Sequence, residues 1–325
     1  MTDLIQFCNK YLIREDLLHS EDIYRDGTRQ GREISLEAYI GFLLTSNVVN
    51  SKSETLNAIW NKSADLLLKV KWHEKWRPAK RKEKVIEMAK LLDIQISPWI
   101  WEKSIDSYRT PDEFFSRKLH PDNNPFDKEL SGCHLYSPCQ CYIVAYETIS
   151  KSIHFWIKNK QFSIEKLGLP DWQIYENNHM AILRLAPQDY HRYHSPICGK
   201  VKYIDHFEDY NEKTISYSVH PMMFKTSNIN VLNENRKKIL IIDNIALVFI
   251  GAVGVDSIEI NKDVKVGDNV EIGQDLGSFH LGGSTIVMLS ANDSIRLHQD
   301  ILTYSKTGHE FKIRCGEHIG DIVKN

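Results

Sequence analysis

Gly277-Ser-Phe-His-Leu-Gly-Gly-Ser-Thr-Ile-Val-Met-Leu289 joins a glycine pair, Gly282-Gly283, to the hydroxyls of Ser284 and Thr285 and then to a β-type apolar run, Ile286 to Leu289. Glycine reaches positive φ without strain and has no Cβ to shield its carbonyl. A hydroxyl just after such a carbonyl can attack it when the turn is strained and a base stands close. Gly-Gly-Ser-Thr ahead of a strand is ordinarily only a turn, so its meaning depends on the rest of the chain.

On both sides of this stretch the sequence has a β texture. Short strands are predicted over 141–146, 153–157, 180–185, 200–204, 214–219, 239–243, 246–251, 264–272 and 284–289, with Gly, Asn and Asp between them. That spacing indicates an antiparallel β domain. Val264-Lys-Val-Gly-Asp-Asn-Val-Glu-Ile-Gly-Gln, with period-two valines and glycine turns, suits a β sandwich. Arg109-Thr-Pro-Asp-Glu-Phe-Phe-Ser-Arg-Lys-Leu119 predicts a short helix with Thr110 as its N-cap and Pro111 at the first helical position.

Before residue 109 the period is helical: Leu36, Tyr39, Ile40, Leu43 and Leu44; then Leu56, Ile59, Trp60, Leu67 and Val70; then Val85, Met88, Ala89 and Leu92. The expected fold class is therefore α+β, with a helical N-terminal region over 1–108 and a mostly antiparallel β domain over 109–325. A basic segment with two tryptophans, Trp72 and Trp76, and the Trp99-Ile-Trp101 segment are candidates for docking on anionic lipid. Their ordinary roles would be a solvated turn and helix packing.

The chain has 325 residues and a net charge of −2, with neither RNP-like nor zinc-finger spacing, so no nucleic-acid partner is expected. Six cysteines lack the spacing of a disulfide framework or a zinc site. No signal peptide and no run long enough to span a bilayer are apparent, which makes a cytoplasmic protein, at most peripheral on a membrane, the expectation.

In Leu185-Ala-Pro-Gln-Asp-Tyr-His-Arg-Tyr-His-Ser-Pro196, His191 and His194 lie three apart. In a helix they would share a face; in a strand or loop they diverge. Pro187 and Pro196 argue against a long helix, and no further ligands stand at a recognisable spacing, so no metal is expected. The two readings are an imidazole serving as general base for a serine and a pair of hydrogen-bonded structural histidines.

In these segments the chain resembles the phosphatidylserine decarboxylase family of pyruvoyl-dependent enzymes. The resemblance rests on Phe114-Phe-Ser-Arg-Lys-Leu, Ser137-Pro, Ile157-Lys-Asn-Lys-Gln-Phe-Ser-Ile-Glu-Lys-Leu, the 185–196 segment, Tyr217-Ser-Val-His-Pro, Asn233-Glu-Asn-Arg, Ile250-Gly-Ala-Val-Gly-Val and Leu276-Gly-Ser-Phe-His-Leu-Gly-Gly-Ser-Thr. It implies a self-processing precursor in which Ser284 attacks the Gly283 carbonyl. Elimination from the resulting ester would leave a β chain, 1–283, and an α chain, 284–325, opened by a pyruvoyl group made from Ser284. By the same resemblance His194 is the base of maturation and His191 assists the substrate chemistry. The pyruvoyl carbonyls take up the electrons released as CO2 leaves, much as pyridoxal would. The two chains would stay associated, and a homodimer is compatible with the family.

The chain departs from the family pattern where an aspartate usually orients the catalytic histidine: Gln140 and Cys141 follow Ser137-Pro-Cys139, and Cys198 stands where a second aspartate usually does. The family also has an aspartate at Asp189, so that residue is not expected to substitute. A glutamine can accept a hydrogen bond from imidazole but brings no charge. The expected activity is decarboxylation of phosphatidylserine to phosphatidylethanolamine at a membrane surface. The alternatives are a decarboxylase of free aromatic amino acids and a non-cleaving relative that only binds a ligand. A mechanism built on Cys139 or Cys141 is weaker, since free cysteines are more often small buried hydrophobes.

Overall fold

A computed structural model describes residues 22–23, 29–30, 73–91, 94, 96, 100–126, 129–148, 162–186, 188–205, 230–251, 258–280, 284–307 and 310–323. In chain order these give β1 (Asp22–Ile23), β2 (Arg29–Gln30), α1 (Arg81–Leu91), α2 (Pro111–Phe115), β3 (His134–Tyr136), β4 (Cys141–Tyr146), β5 (Met180–Leu185), β6 (Arg192–His194) and β7 (Gly199–Ile204). There follow α3 (Val231–Glu234), β8 (Lys237–Ile242), β9 (Ile245–Ile250), β10 (Ile258–Ile260), β11 (Asn269–Val270), β12 (Asp275–Phe279), β13 (Ser284–Ser290), β14 (Ile295–Leu297), α4 (Gln299–Ser305), β15 (Phe311–Ile313) and β16 (His318–Ile322).

One eight-stranded sheet, in the order β11-β7-β8-β9-β13-β5-β4-β15, carries the fold, and every pairing in it is antiparallel. The strand that opens with Ser284 lies inside it. Thr285 to Ser290 pair with Ile250 to Ile245 on one side, and Ser284 to Leu289 with Leu185 to Met180 on the other. All seven residues of β13 are buried, which is why Ile286 to Leu289 run continuously apolar rather than alternating. Ile286 and Met288 join one core cluster with Leu183, Leu185, Tyr193 and Phe279, while Val287 and Leu289 join another with Ile182, Val248 and Ile250.

The first cluster is closed by a small sheet, β10-β12-β6, that brings Tyr193 and Phe279 into contact with Phe249 of the large one. β12 and β10 approach closely at Gly277, where a Cβ would sit 1.9 Å from the Glu259 carbonyl oxygen. A third sheet has the order β14-β16-β3.

The mostly antiparallel β domain is as expected, and the predicted strands over 141–146, 180–185, 200–204 and 284–289 all form. The strand expected over 239–243 ends at Ile242, because Asp243 takes left-handed backbone (φ 47) in the turn to β9. The strand expected over 264–272 shrinks to β11, since Gly267 and Gly273 turn the chain at positive φ on either side of it. The strands expected over 153–157 and 214–219 lie outside the described residues.

Of the helices expected before residue 109, α1 is described. It buries Val85, Met88 and Ala89 in a cluster with Trp101, Tyr108, Phe114, Phe115 and Tyr190. The stripes over 36–44 and 56–70 lie outside the described residues. Within the stretch expected to be helical, Asp22–Ile23 and Arg29–Gln30 instead form the strands β1 and β2, which pair antiparallel. α2 forms as predicted, with Thr110 Oγ1 accepting from Glu113 N at 3.1 Å.

Candidate active site

Ser284 begins β13 and is fully buried; Leu185, its partner on β5, leads directly into the loop that carries the histidines. Neither Ser284 Oγ nor Thr285 Oγ1 has a hydrogen-bond partner among the described residues. Burying a hydroxyl unpaired costs roughly 1–3 kcal/mol. Gly282 and Gly283, the residues before it, lie outside the described residues.

Ala186 and the residues from Gln188 to His191 are held around Asp189. Its carboxylate accepts from Ala186 N at 2.7 Å and from Lys312 Nζ at 2.5 Å, both side chains of that ion pair being buried. Its backbone oxygen accepts from Arg117 Nη2 at 3.1 Å and from His191 Nδ1 at 2.8 Å. A carbonyl can only accept, so Nδ1 carries the His191 proton and Nε2 presents its lone pair. That Nε2 is buried and has no partner among the described residues. The His191 ring lies 3.7 Å from that of Phe115, centroid to centroid. Burial, with the Arg117 cation adding to it, holds the imidazole well below its ordinary pKa and hence neutral.

His194 is placed differently. It closes β6, whereas His191 lies just before that strand, and the two rings have different partners. His194 Nδ1 donates to the Gly273 carbonyl at 2.8 Å, which leaves Nε2 to accept from Tyr190 Oη at 3.2 Å. Burial lowers its pKa, and burial also raises that of Tyr190, keeping the phenol protonated as the donor. Both nitrogens of His194 are therefore engaged, whereas His191 keeps one ready.

Gln140 reaches the same segment: its Oε1 accepts from Tyr190 N at 3.4 Å. Among the described residues no carboxylate bonds a ring nitrogen of either histidine, and Asp189 addresses His191 through its backbone. Cys139 and Cys141 are buried, and burial raises the Cys139 thiol well above its usual range, opposing a thiolate mechanism. Cys198 is exposed.

Several residues the sequence reading did not single out complete the site. Arg117 and Phe115 sit in the Phe114-Phe-Ser-Arg-Lys-Leu motif, which signalled them. Arg117 is buried over the Trp101 ring at 4.4 Å, and burial brings its pKa down to about 10. Trp101 is thus a core residue and is not available to dock on lipid; Trp76 is half-buried against the same cluster, and Trp72 and Trp99 lie outside the described residues. Lys312 had no signal at all. His280, four residues before Ser284, is held between Asp112 at 2.8 Å and Glu259 at 2.9 Å, and the Asp112 bond raises its pKa.

A buried serine hydroxyl and a neutral imidazole nitrogen, each without a partner among the described residues, are the kinds of group that an activated-nucleophile site uses. A family model described as phosphatidylserine decarboxylase matches residues 112–321. The chain is 36% identical over 226 residues to phosphatidylserine decarboxylase proenzyme 3 of Schizosaccharomyces pombe, covering 67% of this chain and 22% of the relative. Against the phosphatidylserine decarboxylase proenzyme of Chlamydia trachomatis serovar L2 it is 34% identical over 224 residues, 66% of this chain and 71% of the relative. A third similar protein is phosphatidylserine decarboxylase proenzyme 2 of Oryza sativa subsp. japonica, 31% identical over 235 residues, 68% of this chain and 35% of the relative. The chain spans about a fifth of the length of the fungal relatives.

Proposed function

This chain belongs to the phosphatidylserine decarboxylase family, and from that premise we propose that it is a self-processing carboxy-lyase that converts phosphatidylserine to phosphatidylethanolamine and CO2. The observation that carries the reading is Ser284: a hydroxyl fully buried, with no partner among the described residues, at the start of the central strand. Such a group is costly in a merely structural turn and useful in a nucleophile.

In the proposed maturation Ser284 Oγ gives up its proton to an imidazole and bonds to the Gly283 carbonyl carbon. The Gly283–Ser284 C–N bond breaks and an ester replaces the amide. Elimination then releases the Gly283 carboxylate, and hydrolysis of the dehydroalanine left behind yields ammonia and the pyruvoyl group. The residues present fit that group, since Ser284 is itself its source and Thr285 Oγ1 and His191 Nε2 are buried polar atoms with no partner among the described residues. When formed, the group supplies the electron sink for decarboxylation.

For the base we favour His191, whose Nε2 is ready, over His194, whose two nitrogens are bonded. His194 then positions the segment through Tyr190 and Gly273. The division into 1–108 and 109–325, cleaved into chains 1–283 and 284–325, belongs to the same proposal. Gln140 gives the imidazolium no countercharge; in serine proteases the comparable aspartate-to-asparagine change costs about 10⁴ in rate. Maturation happens once per molecule, so a slow reaction still reaches completion. Among the described residues no helix is long and apolar enough to cross a membrane, and the lipid would be met at a membrane surface.

The test is the intact mass of the purified protein after long incubation, beside Ser284→Ala. Two fragments meeting at Gly283/Ser284, with a pyruvoyl-blocked terminus absent from the variant, are expected. CO2 release from phosphatidylserine vesicles, compared with free aromatic amino acids, then assigns the substrate. A single mass near 37.8 kDa in both proteins would overturn the enzyme reading and favour the binding-only relative that Gln140 suggests.

A further inference from the structure

Outside the site just described, three metal-ligating side chains converge on the sheet β14-β16-β3. Their ligand atoms, from His134, His318 and Asp321, all lie within 4.8 Å of one another. Asp321 Oδ1 is the common point: His134 Nδ1 approaches it at 2.8 Å and His318 Nε2 at 3.1 Å. The His134 and His318 ring centroids are 4.0 Å apart, and the His298 ring packs edge-on against His318 at 4.3 Å.

Backbone geometry produces this convergence. His318 and Asp321 are three residues apart, and in a regular strand they would face opposite ways. β16 has a register irregularity between His318 and Gly320: His318 pairs with Tyr136, Gly320 with Leu135 and Asp321 with His134. The extra residue, Ile319, is absorbed there, which turns His318 and Asp321 to the same side as His134. β14 holds the irregularity in place, because a Cβ on Gly320 would sit 2.4 Å from the Arg296 carbonyl oxygen. His298 N donates to the Ile319 carbonyl at 3.0 Å, fixing the rim from which its ring projects.

We propose that His134, His318 and Asp321 bind a divalent transition-metal ion of the zinc class, with His298 or water completing its coordination. Two imidazoles and a carboxylate are the donor set of such ions rather than of magnesium or calcium. Zinc bonds of about 2.1 Å place tetrahedral ligand atoms roughly 3.4 Å apart. The two separations from Asp321, 2.8 and 3.1 Å, need to open by a few tenths of an ångström, the two imidazole nitrogens lie within 4.8 Å of each other, and all three side chains are partly exposed and can adjust. The ion takes the place of the protons now held between Asp321 and the imidazoles. His134 precedes the proposed cleavage point and the other residues follow it. Resting on the maturation reading, the ion would therefore also tie the two product chains together; the site itself does not depend on that reading.

The experiment is titration of zinc into chelator-treated full-length protein by calorimetry, with cobalt(II) absorption reporting the donors. One ion per chain is expected, weakened at least about tenfold in His134→Ala and in His318→Gln, with no thiolate-to-cobalt band. Ser284→Ala should bind zinc as the wild type does, which separates failure of maturation from failure of the site. The proposal is overturned if the wild type takes up no stoichiometric zinc, if both histidine variants bind it undiminished, or if a thiolate band assigns the ion to cysteines.

Discussion

His191 and His194 belong to one short segment and differ in what their ring nitrogens do: among the described residues His191 Nε2 has no partner, whereas both nitrogens of His194 are bonded. A base with an unengaged lone pair gives up no hydrogen bond when it takes a proton, and loss of a positioned base typically costs 10²–10⁴ in rate. His191→Gln is therefore expected to slow self-cleavage by roughly that factor, and His194→Gln by less, as read by the fraction of cut chain over time. The reverse order would return the base to His194. His191 and His280 also weigh on stability. The folded pKa of His191 is depressed, so the folded state binds fewer protons than the unfolded one. Its contribution is complete above about pH 6.5 and declines as pH falls through that value, by up to roughly 1.4 kcal/mol per pH unit. His280 has the opposite sign: its folded pKa is raised, so its contribution is complete below about pH 6.5 and is lost as pH rises through the folded value. Urea midpoints across this range should flatten on the acid side in His191→Gln and on the neutral side in His280→Gln.

Among the elements, a cross-strand row binds the edge of the large sheet to the histidine loop. Lys312 on β15 stands opposite Tyr142 on β4, which stands opposite Arg184 on β5, which stands opposite Thr285 on β13. The Tyr142 ring lies against both cations, at 4.1 Å from Lys312 Nζ and 4.5 Å from the Arg184 guanidinium carbon. Arg184 meets Glu310 through two bonds, at 3.0 and 2.6 Å, and Lys312 meets Asp189. Removing one partner of a buried ion pair leaves the other charge uncompensated, at about 3–5 kcal/mol. Lys312→Met should cost that much in equilibrium unfolding, and Asp189→Asn added to it should recover part of the loss. Strict additivity of the two changes would show that the pair does not couple.

For the whole molecule, the position of β13 decides what cleavage can do. Residues 284–325 supply β13 between β9 and β5, β15 at the sheet edge, and β14 and β16 of the third sheet. Peptide-bond scission ahead of Ser284 removes none of those pairings. The cleaved chains should co-elute on gel filtration in native buffer and separate only in denaturant, and dissociation of the 284–325 fragment in native buffer would contradict this.

The sequence alone was sufficient for the antiparallel β domain, and it singled out Ser284, His191 and His194 as candidates. Strand periodicity, turn residues and a run of family segments are local signals, and they survive folding unchanged. It also marked Gln140 as the departure, because a missing carboxylate shows in the order of residues. Tertiary structure decided the rest. Which imidazole is ready depends on carbonyls at Asp189 and Gly273, and a backbone oxygen leaves no trace in side-chain pattern. Lys312 became the partner of Asp189 only because β15 pairs with β4, across more than a hundred residues of chain. The same holds for His134, His318 and Asp321, which one register irregularity in β16 turns toward a single point. Periodicity reads neighbours along the chain, whereas these contacts depend on strand order and register.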